Sequence, residues 1–109
     1  MQTACVRIRL KPGSLERVRE WATELSRRPD EVLTTLREER VWVESVFLER
    51  TADGDFLVYY MRADDLDAAR EVAKRSPHPI DAYHAQFKRD AWESSERLEL
   101  LIDFENPAP

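Results

Sequence analysis

Residues 41–62 read VWVESVFLERTADGDFLVYYMR and hold two β-rich runs joined by Asp53-Gly54. Asp-Gly between two runs of this kind is a strong hairpin signal, because a tight turn needs residues that tolerate positive φ. We therefore expect a strand over residues 41–50 and a return strand over residues 55–62. On the return strand we assign Phe56, Val58 and Tyr60 to the helix-covered face, and Leu57, Tyr59 and Met61 to the opposite face.

The sequence on either side of this hairpin carries alternating strand and helix signals. Residues 4–10 alternate apolar and polar side chains, which predicts a strand. Ser14 is a suitable helix N-cap, Pro29 interrupts that helix, and Asp30 caps a second helical piece. After the hairpin, the spacing of apolar residues predicts a short helix over 66–73, a helix from Pro79 to Ala91, and a last strand over 97–105.

This order of elements predicts an α+β fold, a ferredoxin-like βαββαβ unit with a four-stranded antiparallel sheet and helices on one face. Residues 1–105 form a single domain, and residues 106–109 form a flexible tail. The other sheet face has a mixed composition, which comprises Arg7, Arg9, Leu57, Tyr59, Met61, Glu99, Leu101 and Asp103. A monomer would leave the apolar members of this set in water, so we expect a homodimer that packs through this sheet face.

The composition limits the classes of function. A net charge of −5 argues against nucleic-acid binding, which needs a basic surface. Cys5 is the only cysteine, so an internal disulfide or a cysteine-rich zinc site cannot form. Two glycines are too few for a dinucleotide fingerprint or a P-loop. The sequence has no signal-peptide core and no apolar run that spans a bilayer, so we expect a cytoplasmic protein without a membrane partner.

The pattern of elements resembles the dimeric α/β-barrel superfamily, which includes small antibiotic-biosynthesis monooxygenases and sugar mutarotases. The features that carry the resemblance are the first helix broken at Pro29-Asp30-Glu31, the long second strand, the Asp53-Gly54 hairpin and the two-part second helix. The resemblance implies that two sheets close into a barrel at a dimer interface, and that ligands bind between sheet and helices. Mutarotases use a histidine and a tyrosine on the first helix, and residues 14–28 contain neither. The resemblance therefore points to an uncharacterised branch of the superfamily.

Segment 76–84, SPHPIDAYH, holds both histidines of the chain with Asp81 between them. Histidine titrates near neutral pH, and a carboxylate can orient it. Asp81 lies three residues before His84 on the same predicted helix, within reach of its ring. We therefore take His84 as a candidate proton-transfer residue oriented by Asp81. Tyr60, assigned to the helix-covered face, is the candidate for positioning a substrate, and His78 is a candidate ligand-binding residue.

Structural roles are the alternative for the same segment. His78 can cap the helix, with Asp81 in a first turn where the helix dipole favours a carboxylate. His84 can be a hydrogen-bonded histidine at the edge of the core. A metal site is not predicted, because six helical residues turn the chain by about 600° and put the two histidines on different faces.

Arg7 and Arg9 form a second candidate site on the mixed sheet face. A guanidinium group matches carboxylate and phosphate oxygens, so the two residues are candidates for binding an anionic ligand. The first and last strands are neighbours in a ferredoxin-like sheet, so pairing of these arginines with Glu99 and Asp103 is the alternative.

Two functions are compatible with these features. The first is a cofactor-independent enzyme of the isomerase, lyase or monooxygenase type that acts on a small organic molecule, which requires a cleft between helices and sheet. The second is a non-catalytic homodimeric module that binds a small ligand or a partner protein. The second function predicts a filled core, with both histidines hydrogen-bonded.

Overall fold

The structure is a computed structural model that describes residues 1–108. Within these residues the chain forms, in order, β1 (Gln2–Leu10), α1 (Leu15–Arg27), α2 (Pro29–Glu39), β2 (Val41–Thr51), β3 (Gly54–Ala63), α3 (Leu66–Lys74), α4 (Pro79–Ala91) and β4 (Trp92–Arg97). Except for the last strand, these bounds agree with the predicted elements to within a few residues.

The four strands form one antiparallel sheet in the order β2-β3-β1-β4. β1 pairs with β3 on one side and with β4 on the other, and the hairpin at Asp53-Gly54 joins β2 to β3. The helices cover one face of this sheet. The predicted α+β, ferredoxin-like fold is therefore confirmed.

Local sequence signals account for the helix ends. Pro29 occupies the first turn of α2, where its missing N–H is tolerated, and thereby separates α2 from α1. Arg40 has a left-handed backbone (φ 55°), which ends α2 and turns the chain into β2 at once. Asp65 caps α3, since its carboxylate accepts a hydrogen bond from the Ala68 N–H at 3.0 Å.

The main core lies between the helix-covered sheet face and helices α1 and α4. Ile8 on β1, Leu57 on β3 and Phe87 on α4 are its most deeply buried large side chains. Phe87 stacks on Trp21 of α1 with ring centroids 4.4 Å apart and planes at 6°. This stack ties α1 to α4 on top of the sheet.

The prediction of a last strand over residues 97–105 is wrong, because β4 starts at Trp92, directly after α4. β4 lies at the sheet edge with most of its residues exposed, so it lacks the apolar alternation that marks a half-buried strand. The apolar alternation of residues 98–105 falls instead on a segment that leaves the sheet after the Leu98 N–H donates to the Cys5 carbonyl (2.8 Å). Of the predicted tail, residues 106–108 have no regular structure, and Pro109 lies outside the described residues.

The sheet register reverses the faces predicted for β3. Leu57 lies opposite Ile8, so Leu57, Tyr59 and Met61 face the helices, and the prediction that they lie on the open face is wrong. Tyr60 lies opposite Cys5 on the open face, together with Phe56. Both sets of side chains are apolar, so alternation defines two faces without saying which one is covered. The pairing with β1 decides that question.

Candidate functional site

A cleft of about 460 Å³ lies between the sheet and all four helices. Apolar side chains form most of its wall, among them Val6, Leu25, Leu36, Val46, Met61 and Leu66. Three aromatic residues (Trp21, Tyr59 and Trp92) and six charged or titratable residues (Glu39, Glu44, Arg70, Asp81, His84 and Lys88) also line it. The enzyme hypothesis required a cleft in this position, and its size is in the range of small-molecule sites.

His84 lies in this cleft and is held by Trp21. The indole N–H of Trp21 donates to His84 Nδ1 at 3.1 Å. An indole nitrogen can only donate, so Nδ1 is the acceptor and the proton of the neutral ring lies on Nε2. Burial, and then the charge of Lys88, lower the pKa of His84 to about 4. At neutral pH the side chain is therefore an uncharged imidazole with a hydrogen-bond donor at Nε2.

Three carboxyl groups from three elements meet in the cleft: Glu39 at the end of α2, Glu44 on β2 and Asp81 in the first turn of α4. Burial, and then the charges of Asp81 and Glu44, raise the pKa of Glu39 to about 7. The side chain of Glu44 keeps accessible surface because it faces the open cleft, but protein atoms surround it on its other sides. Burial raises the pKa of Glu44, Asp81 adds to the rise, and Lys88 opposes it.

Three buried polar atoms in the wall of the cleft have no hydrogen-bond partner of standard geometry among residues 1–108. They are Tyr59 Oη, Asp81 Oδ2 and Trp92 Nε1. Tyr59 is only 5% exposed; burial, followed by the charge of Glu44, raises the pKa of its hydroxyl, and a contact with the Trp92 side chain opposes the rise. Buried polar groups in proteins are nearly always hydrogen-bonded, so three such atoms in one cleft mark it as a place where a polar ligand is expected.

The structure brings together two of the three residues predicted as catalytic. His84 and Asp81 both line the cleft, but Trp21 rather than Asp81 holds the His84 ring. Tyr60 lies on the open face of the sheet, so the prediction that it shares a face with the helices is wrong. Its neighbour Tyr59 occupies the position in the cleft that was expected of Tyr60.

His78 is not among the residues that line the cleft. It occupies the N-cap position of α4, as expected, but its side chain makes no capping hydrogen bond. Its Nε2 lies 2.8 Å from Oε2 of Glu38. This contact connects the start of α4 to the end of α2 near the surface.

Arg7 and Arg9 lie on the open sheet face beside a small depression of about 160 Å³. Their predicted pairing with Glu99 and Asp103 is wrong, since Arg7 Nε donates to Glu49 at 2.9 Å and Asp103 pairs with Arg62 instead. Both guanidinium groups stack on Phe56, at 3.6 and 4.5 Å from the ring centroid. Bonds within the protein thus already engage Arg7.

Two of the cleft carboxylates, Glu39 and Glu44, lie on apolar faces that are visible in the sequence. Val32, Thr35, Leu36 and Glu39 recur at helical spacing, so Glu39 continues the covered stripe of α2. Glu44 shares its strand face with Val46 and Leu48, where the pattern calls for an apolar residue. A carboxylate that interrupts an apolar face is a sign of a site.

Two further features were searched for within residues 1–108. No group of three or more His, Cys, Asp or Glu side chains has an arrangement that could hold a metal ion. No helix in this range has both the length and the hydrophobicity that a membrane span requires.

Fold and cleft together define a small ferredoxin-like α+β protein with a ligand-sized cleft between its sheet and its helices. The chain belongs to DUF6176, a family of unknown function whose model matches residues 1–108. No curated protein matches the chain at a significant level.

Solved structures share the fold over nearly the whole chain. L-rhamnose mutarotase from Formosa agariphila has a TM-score of 0.68 at 15% identity, covering 96% of this chain and 100% of the other. A NIPSNAP domain protein from Burkholderia xenovorans has a TM-score of 0.65 at 18% identity, covering 99% and 100%. An antibiotic biosynthesis monooxygenase has a TM-score of 0.59 at 16% identity, covering 97% and 100%. The suspected resemblance to monooxygenases and mutarotases is confirmed as a likeness of fold.

Proposed function

We propose that this protein is a cofactor-independent enzyme that binds a small organic molecule in the cleft and transfers a proton on it. One observation carries the proposal: Tyr59 Oη, Asp81 Oδ2 and Trp92 Nε1 are buried in the wall of the same cleft without hydrogen bonds of standard geometry, although the Trp92 and Tyr59 side chains come close to each other. An unsatisfied buried polar group costs about 1–3 kcal/mol, and a bound ligand that pairs with these atoms recovers that cost.

Glu39 is the proposed proton-transfer residue. A general acid or base works best when its pKa lies near the working pH, and the pKa of Glu39 is about 7. Burial, and then the negative charges of Asp81 and Glu44, maintain this value, because each disfavours ionisation of Glu39. As a base Glu39 must be ionised, so we expect activity to rise as pH increases through about 7.

His84 has a different role in this proposal from the one expected from the sequence. With a pKa of about 4 its ring stays neutral, which makes it a poor base at neutral pH. Trp21 fixes the proton on Nε2, so His84 offers a hydrogen bond to a substrate oxygen. Such a donor stabilises the negative charge that develops on oxygen when a neighbouring carbon loses its proton.

The first test measures proton exchange directly. We expect one or more members of a library of small organic metabolites to bind in the cleft and to take up deuterium from D₂O, detected by NMR. Glu39→Gln should slow this exchange about 100-fold or more, because general acid–base catalysis contributes about that much. Glu93→Gln is the matched control, since Glu93 is exposed on β4 and does not line the cleft.

The opposite result would favour the second function, a non-catalytic binding module. A ligand that binds in the cleft, exchanges no proton and yields no product would identify a non-catalytic ligand-binding module. Equal exchange rates in Glu39→Gln and the wild type would remove Glu39 from the proposed role.

We also propose that the chain forms a homodimer through the open sheet face. The apolar side chains that support this proposal are exposed on β2 and on the C-terminal segment: Val43, Phe47, Leu101, Ile102 and Phe104. Asp103 pairs with Arg62 of β3 at 3.1 Å, which holds the C-terminal segment beside that face. Exposed large apolar side chains in such numbers commonly mark an interface. We propose the cytoplasm as the place where this dimer acts.

Sedimentation at micromolar concentration tests the dimer. We expect the wild type to sediment as a dimer and the double variant Phe47→Ser, Phe104→Ser to sediment as a monomer. Both side chains are exposed in the monomer (60% and 87%), so the variant should keep its circular dichroism spectrum. A monomeric wild type would contradict the proposal.

A further inference from the structure

We propose that the molecule bound in the cleft carries a protonated amine, which the carboxyl groups of Glu39, Glu44 and Asp81 receive, while its hydrocarbon part lies on the apolar wall. This inference rests on the proposed function in that it names the substrate class of the same cleft.

The first argument is the lack of partners for these carboxyl groups. Within residues 1–108 none of the three accepts a hydrogen bond or forms an ion pair, although all three line one cleft. Several carboxylates elsewhere in the chain are paired, as Glu31 is with Arg28 (2.7 Å) and Asp64 with Arg40 (2.6 Å), whereas an unpaired one such as Glu93 stands alone on the exposed edge strand. An ammonium group offers three N–H donors and a positive charge, which is what an unpaired carboxylate cluster in a partly dry cleft needs.

The second argument is the aromatic wall next to these carboxyl groups. Tyr59 is only 5% exposed, and its hydroxyl makes no hydrogen bond of standard geometry. Its ring meets Trp92 edge to face, with ring centroids 5.5 Å apart. Trp21 completes this wall, 6.4 Å from Tyr59 between ring centroids. Aromatic faces attract organic cations, and an existing cation demonstrates this at Trp92, where Lys88 Nζ lies 4.9 Å from the ring centroid.

Other charged groups around the cleft do not reverse this preference. Glu38 of α2 adds negative potential at Glu39, whereas Lys88 of α4 and Arg70 of α3 are positive. Arg70 is exposed, so water screens it, and the single charge of Lys88, which acts on His84, Glu39 and Glu44, is outnumbered by the three carboxyl groups. His84 is neutral at pH 7. An anionic ligand would face three carboxyl groups, and an uncharged ligand would leave their charge without compensation.

Ammonium binding should also change the protonation of the site. A nearby positive charge favours the ionised carboxylate and therefore lowers the raised pKa values of Glu39 and Glu44. Binding should then release protons near pH 7, and affinity should rise with pH until Glu39 is fully ionised. The bound amine would thereby keep Glu39 in the form that a general base requires.

The test uses probes that share a hydrocarbon part and differ in the polar group and its charge: 2-phenylethylamine, 2-phenylethanol and phenylacetate, together with the linear alkyl amines, alcohols and carboxylates from four to eight carbons. We expect calorimetry at pH 7 to show that at least one amine binds about tenfold or more tightly than its alcohol, and that no carboxylate binds more tightly than its alcohol. Buffers of different ionisation enthalpy should reveal proton release on amine binding.

Variants locate the effect in the cleft. Glu44→Gln should weaken the best amine about tenfold and leave the affinity of its alcohol unchanged, because only the charged contact is lost. Glu93→Gln should change neither affinity. Alcohols that bind as tightly as the amines, or an amine affinity that Glu44→Gln leaves intact, would overturn the inference.

The outcomes separate this inference from the proposed enzyme. Selective amine binding without deuterium exchange or product supports the inference and removes the enzyme. Deuterium exchange on an uncharged molecule, with no preference for amines, supports the enzyme and overturns the inference.

Discussion

Replacing Phe87 by alanine should lower the free energy of unfolding by about 3–5 kcal/mol. Phe87 is fully buried in the main core and stacks on Trp21 at 4.4 Å, so truncation leaves a cavity that rigid sheet and helix neighbours cannot close. The same stack orients the indole that holds His84 at 3.1 Å. Urea denaturation followed by circular dichroism measures the loss.

Two companion variants show whether the loss arises from packing. Phe87→Leu keeps much of the buried volume and should be clearly less destabilising than Phe87→Ala. Tyr59→Phe, in the same aromatic cluster, should instead raise stability by about 1 kcal/mol, because it removes a buried hydroxyl whose contact with Trp92 is not a hydrogen bond of standard geometry. A loss below about 1 kcal/mol for Phe87→Ala, or a destabilised Tyr59→Phe, would contradict this description of the core and the cleft.

Acidification from pH 6.5 to pH 4 should cost about 3 kcal/mol of stability through His84 alone. The folded protein holds this ring neutral with a pKa of about 4, whereas the unfolded chain binds the proton near pH 6.5. The unfolded state therefore gains protons first as pH falls. The stability contributed by neutral His84 is fully present above pH 6.5 and is lost on approach to pH 4.

Titration of Glu39 changes stability with pH in the opposite direction. The contribution of His84 is therefore measured by comparing the wild type with a variant that lacks the imidazole ring. Because the pKa of Glu39 is raised to about 7, its contribution to the free energy of unfolding is fully present below pH 4.5 and is lost as pH rises through 7. Urea titrations of wild type and His84→Gln across pH 4 to 7 should differ in slope, with the smaller acid loss in His84→Gln. Parallel curves for wild type and His84→Gln would show that the ring is not buried neutral.

The candidate site was only partly accessible from sequence. His84 and Asp81 stood out because both histidines of the chain lie in one short segment, and the structure places both residues in the cleft. Glu39 and Glu44 lie on different elements, and no local spacing connects them with Asp81. Tyr60 was preferred to Tyr59 because the two tyrosines are adjacent on one strand, and alternation alone assigns them to opposite faces without indicating which is inside.

The prediction of the last strand over residues 97–105 was wrong for a related reason. Residues 98–105 have the better alternation of apolar side chains, but the chain pairs with β1 through the polar residues of β4 immediately after α4. The residues that pair with β1 are those that follow the end of α4, and the packing of α4 on the sheet fixes where that end lies. A pattern based on side chains cannot report it.

The sequence by itself determined the order of the elements, the hairpin at Asp53-Gly54, the break at Pro29 and the antiparallel α+β fold. These features depend on interactions between residues near one another in the chain, such as turn chemistry, capping and the period of apolar residues. Only the tertiary structure decided which face of β3 is covered, which strand closes the edge beside β1, and which carboxylates meet Tyr59, His84 and Asp81 in the cleft. Those outcomes depend on the register between distant strands and on burial, which arise only when the whole chain packs.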